Sequence, residues 1–283
     1  MKRAISIALF FIPFLAKAQI EPAAKQIALG NSAYAKANDV FALFVNPAGL
    51  SQFNWTETGA YYSPAPFGLK ELSNGSFAAK FNLWNFSFAA GASFYGFELY
   101  KENSVSLAIS KRLFEKFFLG ATAVYHNLSI EKYGAASAVS FNFGLLYYLT
   151  KSLRLAFVAN NPFRASYSGE ENEIPTEMKI AASYSPLTNL DFNIALAEDF
   201  RFPLEVRCGV EYGIVKYVDL RAGFESGANS YAFGIGVKYS LFEIDYAALV
   251  HQSLPLTHQL NIIFAFENIE NRREKISKFL FGK

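Results

Sequence analysis

Residues 231–239 read YAFGIGVKY, with an aromatic or aliphatic side chain at every second position. Because successive side chains of a β-strand point to opposite faces, the rings and aliphatic chains of this stretch share one face. The other face carries alanine, glycine and lysine. The same alternation recurs in residues 139–147, 190–197 and 204–212. It predicts strands with one apolar face and one small or polar face.

Fourteen segments with this pattern follow one another from residue 57 to residue 266 without a linker. A strand needs about 9–11 residues to cross a bilayer, which is close to the length of these segments. Beyond residue 18 the chain has no run of about 18 uninterrupted apolar residues, which would predict a transmembrane helix. The predicted strands are residues 57–63, 75–81, 86–95, 103–111, 117–126, 137–148, 152–160, 177–184, 190–198, 204–212, 217–225, 230–239, 242–250 and 257–266.

Connections between the predicted strands fall into two classes. Every second one has five residues or fewer, and we assign this set to the periplasmic side, together with both chain ends. The opposite set contains longer connections at 64–74, 127–134 and 161–176. Short turns on one side and longer loops on the other are typical of outer-membrane barrels. The predicted fold is therefore all-β: a transmembrane antiparallel β-barrel of about 14 strands.

The composition favours a membrane barrel over a soluble β-sandwich. Hydrophobic residues make up 52% of the chain and charged residues 18%, which excludes a disordered protein. A net charge of +2 gives no basic face for nucleic acid, and one cysteine cannot build a disulfide framework. Tyrosines gather at the strand ends, as they do at the two membrane interfaces. These are Tyr61, Tyr62, Tyr125, Tyr147, Tyr148, Tyr184, Tyr212, Tyr217, Tyr231 and Tyr239.

The first 18 residues have the three parts of a secretory signal peptide. Lys2 and Arg3 form a basic start, residues 4–15 are apolar, and Ala16 and Ala18 are the small residues that signal peptidase reads. We predict cleavage after Ala18. A membrane anchor is the alternative, but the apolar core is too short to span a bilayer, which needs about 20 residues.

Residues 19–54 lack the two-residue alternation and are rich in alanine. A closed sheet of about 14 strands encloses more room than its own side chains fill, so we place this segment inside the barrel as a hatch. The barrel itself is predicted over residues 55–267. Residues 268–283 form a periplasmic C-terminal tail, predicted as a short amphipathic helix or, alternatively, as a docking segment.

Three short motifs in this segment resemble a known family. They are IALGNSAY over 27–34 with Gly30, then Asn38 and Asp39, and then NPAGL over 46–50 with Asn46, Pro47 and Ala48. They are similar to the N-terminal hatch of the FadL-like long-chain fatty-acid transporter barrels, and most similar to the PorV/PorQ branch. Two positions depart from the family pattern: Asn31 stands where a second glycine is common, and Asn38 replaces an acidic residue.

The last predicted strand carries a second resemblance. Its ending, with Phe264 and Phe266, resembles the assembly signal of outer-membrane barrels, although Asn261 stands where a glycine is usual. This resemblance implies recognition by the barrel assembly machinery and insertion into outer-membrane lipid.

The family resemblance implies two functions. FadL-like members move or bind hydrophobic small molecules, whereas PorV/PorQ-like members are components of a type IX protein secretion system. The partners implied are a hydrophobic ligand in the first case and secretion-system proteins in the second. The short connections leave little material for large ligand-capturing loops, so the two alternatives stay open, together with a purely structural porin-like barrel.

Six charged residues fall on the inward face of neighbouring predicted strands, in the periplasmic half. Charges on a lipid face near the midplane cost about 2–4 kcal/mol, so they are expected to point into the lumen. One interpretation is a network that clamps the hatch through Lys25, Lys36 or Asp39. The other is a structural ion-pair lattice of the kind that buried charges require. The six residues are Glu211, Asp219, Arg221, Lys238, Glu243 and Asp245.

Catalytic and metal-binding motifs are missing from the sequence. It contains no nucleophile elbow, phosphate-binding glycine loop, paired-cysteine site or zinc-protease helix motif. His126, His251 and His258 are predicted near the extracellular rim as interface side chains rather than metal ligands. Cys208 is predicted on the lipid face as a small apolar side chain. We therefore predict no enzymatic activity and no cofactor.

Overall fold

The computed structural model describes residues 22–167 and 174–282. The predicted signal peptide and part of the connection at 161–176 lie outside these residues. Within them, fourteen antiparallel strands each pair with their neighbours along the chain, and the first strand pairs with the last to close one barrel. The strands are β1 Glu57–Ser63, β2 Asn74–Leu83, β3 Phe86–Phe97, β4 Tyr100–Phe114, β5 Phe117–Ile130, β6 Gly134–Tyr148, β7 Leu153–Asn160, β8 Glu177–Leu187, β9 Leu190–Asp199, β10 Glu205–Val215, β11 Val218–Glu225, β12 Ser230–Tyr239, β13 Phe242–His251 and β14 Thr257–Ala265.

The predicted antiparallel barrel of 14 strands is confirmed. Closure removes the unpaired edges that an open sheet would present to lipid. The alternation is also as predicted: on β12, Phe233 is 55% exposed on the outer face, whereas Ala232 is 1% exposed on the inner face. In the part of the chain that the structure describes, no helix is both long and apolar enough to cross a membrane.

The predicted connection at 127–134 is wrong. Strands β5 and β6 continue to Ile130 and from Gly134, so that residues 131–133 alone connect them. Residues 98–99 connect β3 to β4 in the same way. In the added end of β5, the face that carries Tyr125 continues with the polar residues Asn127 and Ser129, while the pairing with β4 and β6 goes on unbroken.

Two tyrosines of the predicted interface belt also lie elsewhere. Tyr61 is 3% exposed and Tyr148 is 4% exposed, and both point into the barrel. Each stands at an inward position of its strand, beside an outward-pointing tyrosine, Tyr62 or Tyr147, that is well exposed. Consecutive tyrosines necessarily point to opposite faces, so only one of each pair can reach the lipid.

Residues 22–56 form an irregular segment that fills the barrel. It contains two short helices, α1 Ala24–Ala28 and α2 Ala42–Val45, and a 3-10 helix over Pro47–Gln52. Nearly all of its side chains are buried. It contacts inward-facing positions of strands on both sides of the barrel, from β3 to β6 and from β11 to β14. We call residues 22–56 the N-terminal segment.

Strand glycines make room for this segment. A β-carbon added to Gly223 of β11 would lie 2.0 Å from the backbone nitrogen of Gly30, and one added to Gly144 of β6 would lie 2.1 Å from the Asn46 side chain. Real β-carbons essentially never come so close to another atom, so a larger residue at either position requires the segment to shift. The other wall glycines in such close contact with the segment are Gly59, Gly91, Gly120, Gly209 and Gly234.

The C-terminal tail forms a third helix, α3 Arg272–Phe281. It follows β14 on the side of the barrel where β1 begins. Ile276 and Leu280 are buried in the same apolar cluster as Phe118 and Tyr148 of the wall. The helix therefore covers the end of the lumen where β1 begins and β14 ends.

Candidate functional site

The structure brings the six charged residues of the predicted lumenal network together around Arg221. The Arg221 guanidinium lies 2.7 Å from Glu211, 2.5 Å from Asp245 and 3.6 Å from Asp219. Its side chain is fully buried. Lys238 pairs with Asp219, and Glu243 lies 3.8 Å from Arg221. Neighbouring strands β10 to β13 supply all six, because residues of equal depth on adjacent strands face the same part of the lumen.

Two lysines of the N-terminal segment join this network. The Lys36 ammonium lies 2.5 Å from Asp191 of β9 and also pairs with Glu211. The Lys25 ammonium lies 3.2 Å from Asp39 and 3.6 Å from Glu243. The segment is thus connected to the wall by buried ion pairs, which are costly to break because the remaining partner stays charged and buried.

Asp191 was not among the candidate residues, although the sequence placed it on the inward face of its strand. The candidates were drawn from β10 to β13 alone, whereas the network extends one strand further. An inward aspartate at the start of β9 was the available signal.

Two arginines of α3, which lies at the end of the barrel where β1 begins, pair with wall carboxylates that also bind Lys25 and Lys36. Arg272 lies 2.5 Å from Glu57 and 3.0 Å from Glu243, and it donates to the Asn38 carbonyl at 3.0 Å. Arg273 pairs with Asp191. Burial by itself would lower the pKa of Arg272, but Glu57, Glu243 and Asp39 outweigh it and raise the pKa above its usual value. Glu243 and Asp191 therefore each hold one cation from the N-terminal segment and one from α3.

The predicted hatch motif builds the segment's internal structure. Asn46 accepts a hydrogen bond from the Ala48 backbone at 3.1 Å, and its amide donates to the Tyr34 and Leu145 carbonyls. This caps the 3-10 helix that Pro47 begins and ties it to β6. Asn38 accepts a hydrogen bond from Lys25 at 3.2 Å, and Asp39 accepts one from the Phe41 backbone at 3.0 Å.

Gly30 and Asn31 turn the chain beside the wall. Both have a positive φ, of 58° and 49°, which glycine and asparagine adopt most readily among the residues. Asparagine thus serves at position 31, where the family pattern has a glycine. Its amide also donates to Glu225 of β11 at 3.2 Å, a contact that glycine cannot make.

The half of the lumen farther from α3 holds a second charged group. Arg207 donates to the Tyr34 hydroxyl at 2.6 Å and lies 2.6 Å from Glu205 and 3.0 Å from Glu225. Lys179 stands over the Tyr34 ring, 5.0 Å from its centroid. Tyr34 thereby connects the N-terminal segment to β8 and β10.

The N-terminal segment is closely packed. Among the described residues, an internal cavity of about 20 Å³ lies within the N-terminal segment, between Lys25, Lys36 and Phe41. Such a volume holds about one water molecule. A solute of even ten heavy atoms requires the segment to shift.

The histidines and the cysteine have ordinary surroundings. His126 contacts the Ser140 hydroxyl at 2.8 Å, and His258 contacts the Tyr246 hydroxyl at 2.6 Å. Over residues 22–167 and 174–282, no three metal-binding side chains come together. Cys208 is half-buried at an outward position of β10, as predicted.

Comparison with known proteins identifies the fold. No family model and no curated protein matches the chain. The Pseudomonas putida toluene transporter TodX is 14% identical, with a TM-score of 0.64 over 87% of this chain and 98% of TodX. The CymD monoaromatic hydrocarbon channel is 12% identical, with a TM-score of 0.63 over 87% of this chain and all of CymD. A Pseudomonas aeruginosa FadL homologue is 11% identical, with a TM-score of 0.55 over 84% of this chain and 94% of the homologue. At such identities the likeness shows a FadL-like barrel fold and nothing finer.

Proposed function

We propose that this protein is an outer-membrane barrel that moves small hydrophobic molecules, with the N-terminal segment as a movable hatch. One observation carries the proposal: in a barrel with the FadL-like fold, the lumen is filled by a segment held to the wall by a limited set of ion pairs. Transfer of an apolar solute from water to the barrel interior lowers its free energy, because aliphatic and aromatic side chains of the segment contact it there. Two of the solved neighbours are described as a monoaromatic hydrocarbon channel and a toluene transporter.

The proposal includes the location and the processing of the chain. Residues 1–18 act as a cleaved signal peptide, and both ends of the mature chain lie in the periplasm. Support comes from the outer face of the barrel, where rings such as Phe233 and Tyr231 are more than half exposed to the surroundings. Such a surface fits lipid and fits water poorly. Catalysis and cofactors have no part in the proposed function.

Uptake into vesicles tests the transport proposal. The mature chain is reconstituted into phospholipid vesicles, and entry of toluene and of a long-chain fatty acid is compared with entry into vesicles without protein. We expect the protein to accelerate entry of one or both, and to leave entry of a charged sugar phosphate unchanged. Equal entry with and without the protein would contradict transport.

A PorV/PorQ-like role in type IX secretion is the second candidate. The observation in its favour is the shortness of several extracellular connections, with residues 98–99 and 131–133 alone joining two pairs of strands. These turns offer little surface to capture a small solute. Isolation of the barrel from its native membrane in mild detergent separates the candidates: secretion predicts co-purification with large secretion-system proteins. A structural porin-like barrel, the third candidate, predicts steady ion conductance in planar bilayers.

A further inference from the structure

Strands β14, β1 and β2 carry a set of uncharged polar side chains that point into the lumen. In the strand registers, Tyr61 of β1 lies directly opposite Asn261 of β14 and Ser76 of β2. Gln259 lies two residues from Asn261 on the same face of β14. All four side chains are at most 5% exposed. We call Tyr61, Ser76, Gln259 and Asn261 the neutral row.

Among the residues that the structure describes, the neutral row has five buried side-chain atoms without a hydrogen-bond partner. Neither amide atom of Gln259 has one, nor has the Ser76 hydroxyl, and Asn261 uses only its nitrogen, on Asp245. The Tyr61 hydroxyl lies near Ser63 but forms no hydrogen bond of normal geometry. Proteins pair almost all of their buried polar atoms, because an unpaired one has lost its hydrogen bonds to water without forming any in the protein. Four neighbouring side chains with unpaired buried atoms point to a ligand that supplies the missing hydrogen bonds when it binds.

The N-terminal segment is held differently on the other walls. Hydrogen bonds join Asn46 to β6 and Ser51 to Ser110 of β4, and ion pairs join Lys36 to β9 and β10. At the height of the neutral row the contacts are apolar instead. Val40 and Phe41 pack against Gly59 of β1. The polar contacts with this wall lie nearer the start of β1, where Lys80 of β2 donates to the Phe53 and Trp55 carbonyls. Because apolar contacts have no direction to restore, residues 40–41 separate from the neutral row more easily than hydrogen-bonded parts of the segment separate from their strands.

We propose that the wall of β14, β1 and β2 is the binding surface for a small uncharged molecule that has an apolar body and one hydroxyl or carbonyl group. The apolar body takes the place of Val40 and Phe41 when the segment shifts. Its polar group pairs with Gln259, Tyr61 or Ser76, each of which can donate a hydrogen bond and can also accept one. The row contains no charge to compensate an ionised solute, which would lose its hydration on entry. This inference rests on the proposed transport function and specifies its solutes.

Matched substitutions test whether the side chains of the neutral row lack hydrogen-bond partners. Tyr61→Phe and Ser76→Ala remove unpaired hydroxyls, so the thermal midpoint of the purified full barrel should stay unchanged or rise. Their controls are Tyr148→Phe, which loses a hydrogen bond to Gln52 at 2.5 Å, and Ser110→Ala, which loses one to the Leu119 carbonyl at 2.9 Å. The controls should lower the midpoint. Equal losses in both sets would show that the row already has partners, and would overturn the inference.

Binding of three ring compounds tests the ligand class. Benzyl alcohol, toluene and benzoate share one ring and differ in the group attached to it. Calorimetry on the detergent-purified wild type should show tightest binding of benzyl alcohol and weakest binding of benzoate. In the combined variant Y61F/S76A/Q259M, benzyl alcohol should bind about threefold to tenfold more weakly, the range of one hydrogen bond, while toluene binds as before.

Two outcomes separate this inference from the proposed function. If the protein accelerates the entry of toluene into vesicles but binds benzyl alcohol no better than toluene, transport stands and the neutral row is not its binding surface. If the combined variant keeps the preference for benzyl alcohol, the row is again excluded. If vesicles take up none of the three compounds and none binds, the proposed function fails together with the inference.

Discussion

Gly223 marks the closest approach between the barrel wall and the N-terminal segment. Gly223→Ala should destabilise the protein by about 1–3 kcal/mol, because the new methyl group overlaps the Gly30 backbone, which cannot move without shifting the whole turn. Urea unfolding in detergent measures the free energy. Gly213→Ala is the control, since the nearest atom to its β-carbon is a carboxylate oxygen of Asp219 at 3.3 Å, on a side chain that can move. Equal stability of the two variants would contradict the close packing.

Arg221 distinguishes a clamp from a structural lattice. Arg221→Ala leaves Glu211 and Asp245 with less positive charge in a buried site, which should cost about 3–5 kcal/mol. If the network clamps the hatch, residues 22–56 should also exchange amide hydrogen faster while the strands stay protected. Unchanged protection of the segment would leave only the lattice. Lys278→Ala is the control, since its pair with Glu274 is more than half exposed and is worth less than about 1 kcal/mol.

Single residues were predictable to the extent that strand parity determines them. Parity placed Glu211 and Asp245 in the lumen and Cys208 on the outer face, because a strand leaves only two directions. The alternation over 139–147 already places Tyr147 outward and Tyr148 inward, but the interface prediction relied on residue type alone and so included both members of each tyrosine pair. Arg272 was out of reach, because it lies outside the strands, where parity does not apply.

At the scale of elements, α3 and the N-terminal segment depend on each other through shared carboxylates. Arg272→Gln removes the nearest of three cations around Glu243, so the N-terminal segment should exchange amide hydrogen faster even though α3 lies outside the strands. Coupling between two sites is reciprocal, so Lys25→Gln should raise exchange in α3 as well. Hydrogen exchange with mass spectrometry measures both effects.

The matched control for this coupling is Lys275→Gln. Lys275 lies on the same helix and is about one-third exposed, and its ion pair is with Glu267 rather than with the lumen. It should leave the N-terminal segment unchanged. An effect in only one direction, or an equal effect of Lys275→Gln, would show that α3 and the segment are not coupled through Glu243.

Strand existence could be predicted better than strand ends. The two-residue alternation arises because one face of each strand contacts lipid and the other faces the lumen. It therefore stops where a strand extends beyond the membrane. Strands β5 and β6 continue their backbone pairing past that point, up to Ile130 and Gly134. Hydrogen bonding needs no apolar face there. The alternation therefore predicted the membrane-spanning part of each strand and missed the residues that extend beyond the membrane.

At the scale of the whole molecule, closure of the sheet should make the barrel resistant to detergent. Every strand of the described chain has two neighbours, so unfolding has no free edge from which to start. In electrophoresis with dodecyl sulfate, the unboiled protein should migrate faster than the boiled protein, because the folded barrel is more compact. Identical migration before and after boiling, for protein purified from membranes, would contradict a stable closed barrel.

The two tryptophans offer a direct test of which surface meets lipid. Trp84 is 82% exposed at the turn between β2 and β3, on the outside of the barrel, whereas Trp55 is 3% exposed against Phe53 and the lumen-facing Lys80. In vesicles containing brominated lipids, a quencher within the bilayer reaches only rings at the membrane. Trp55→Phe leaves Trp84, whose fluorescence should be strongly quenched. Trp84→Phe leaves Trp55, whose fluorescence should be unchanged.

The pair of variants works as its own control, since both keep one tryptophan in the same barrel and the same vesicles. Tryptophan favours the headgroup level of the membrane, so bromine attached near the headgroup should quench Trp84 more than bromine deep in the chains. Quenching of Trp55 with sparing of Trp84 would mean that the N-terminal segment faces lipid and the turn does not. The barrel would then be inside out with respect to this structure, and the lumenal ion pairs could not hold a hatch.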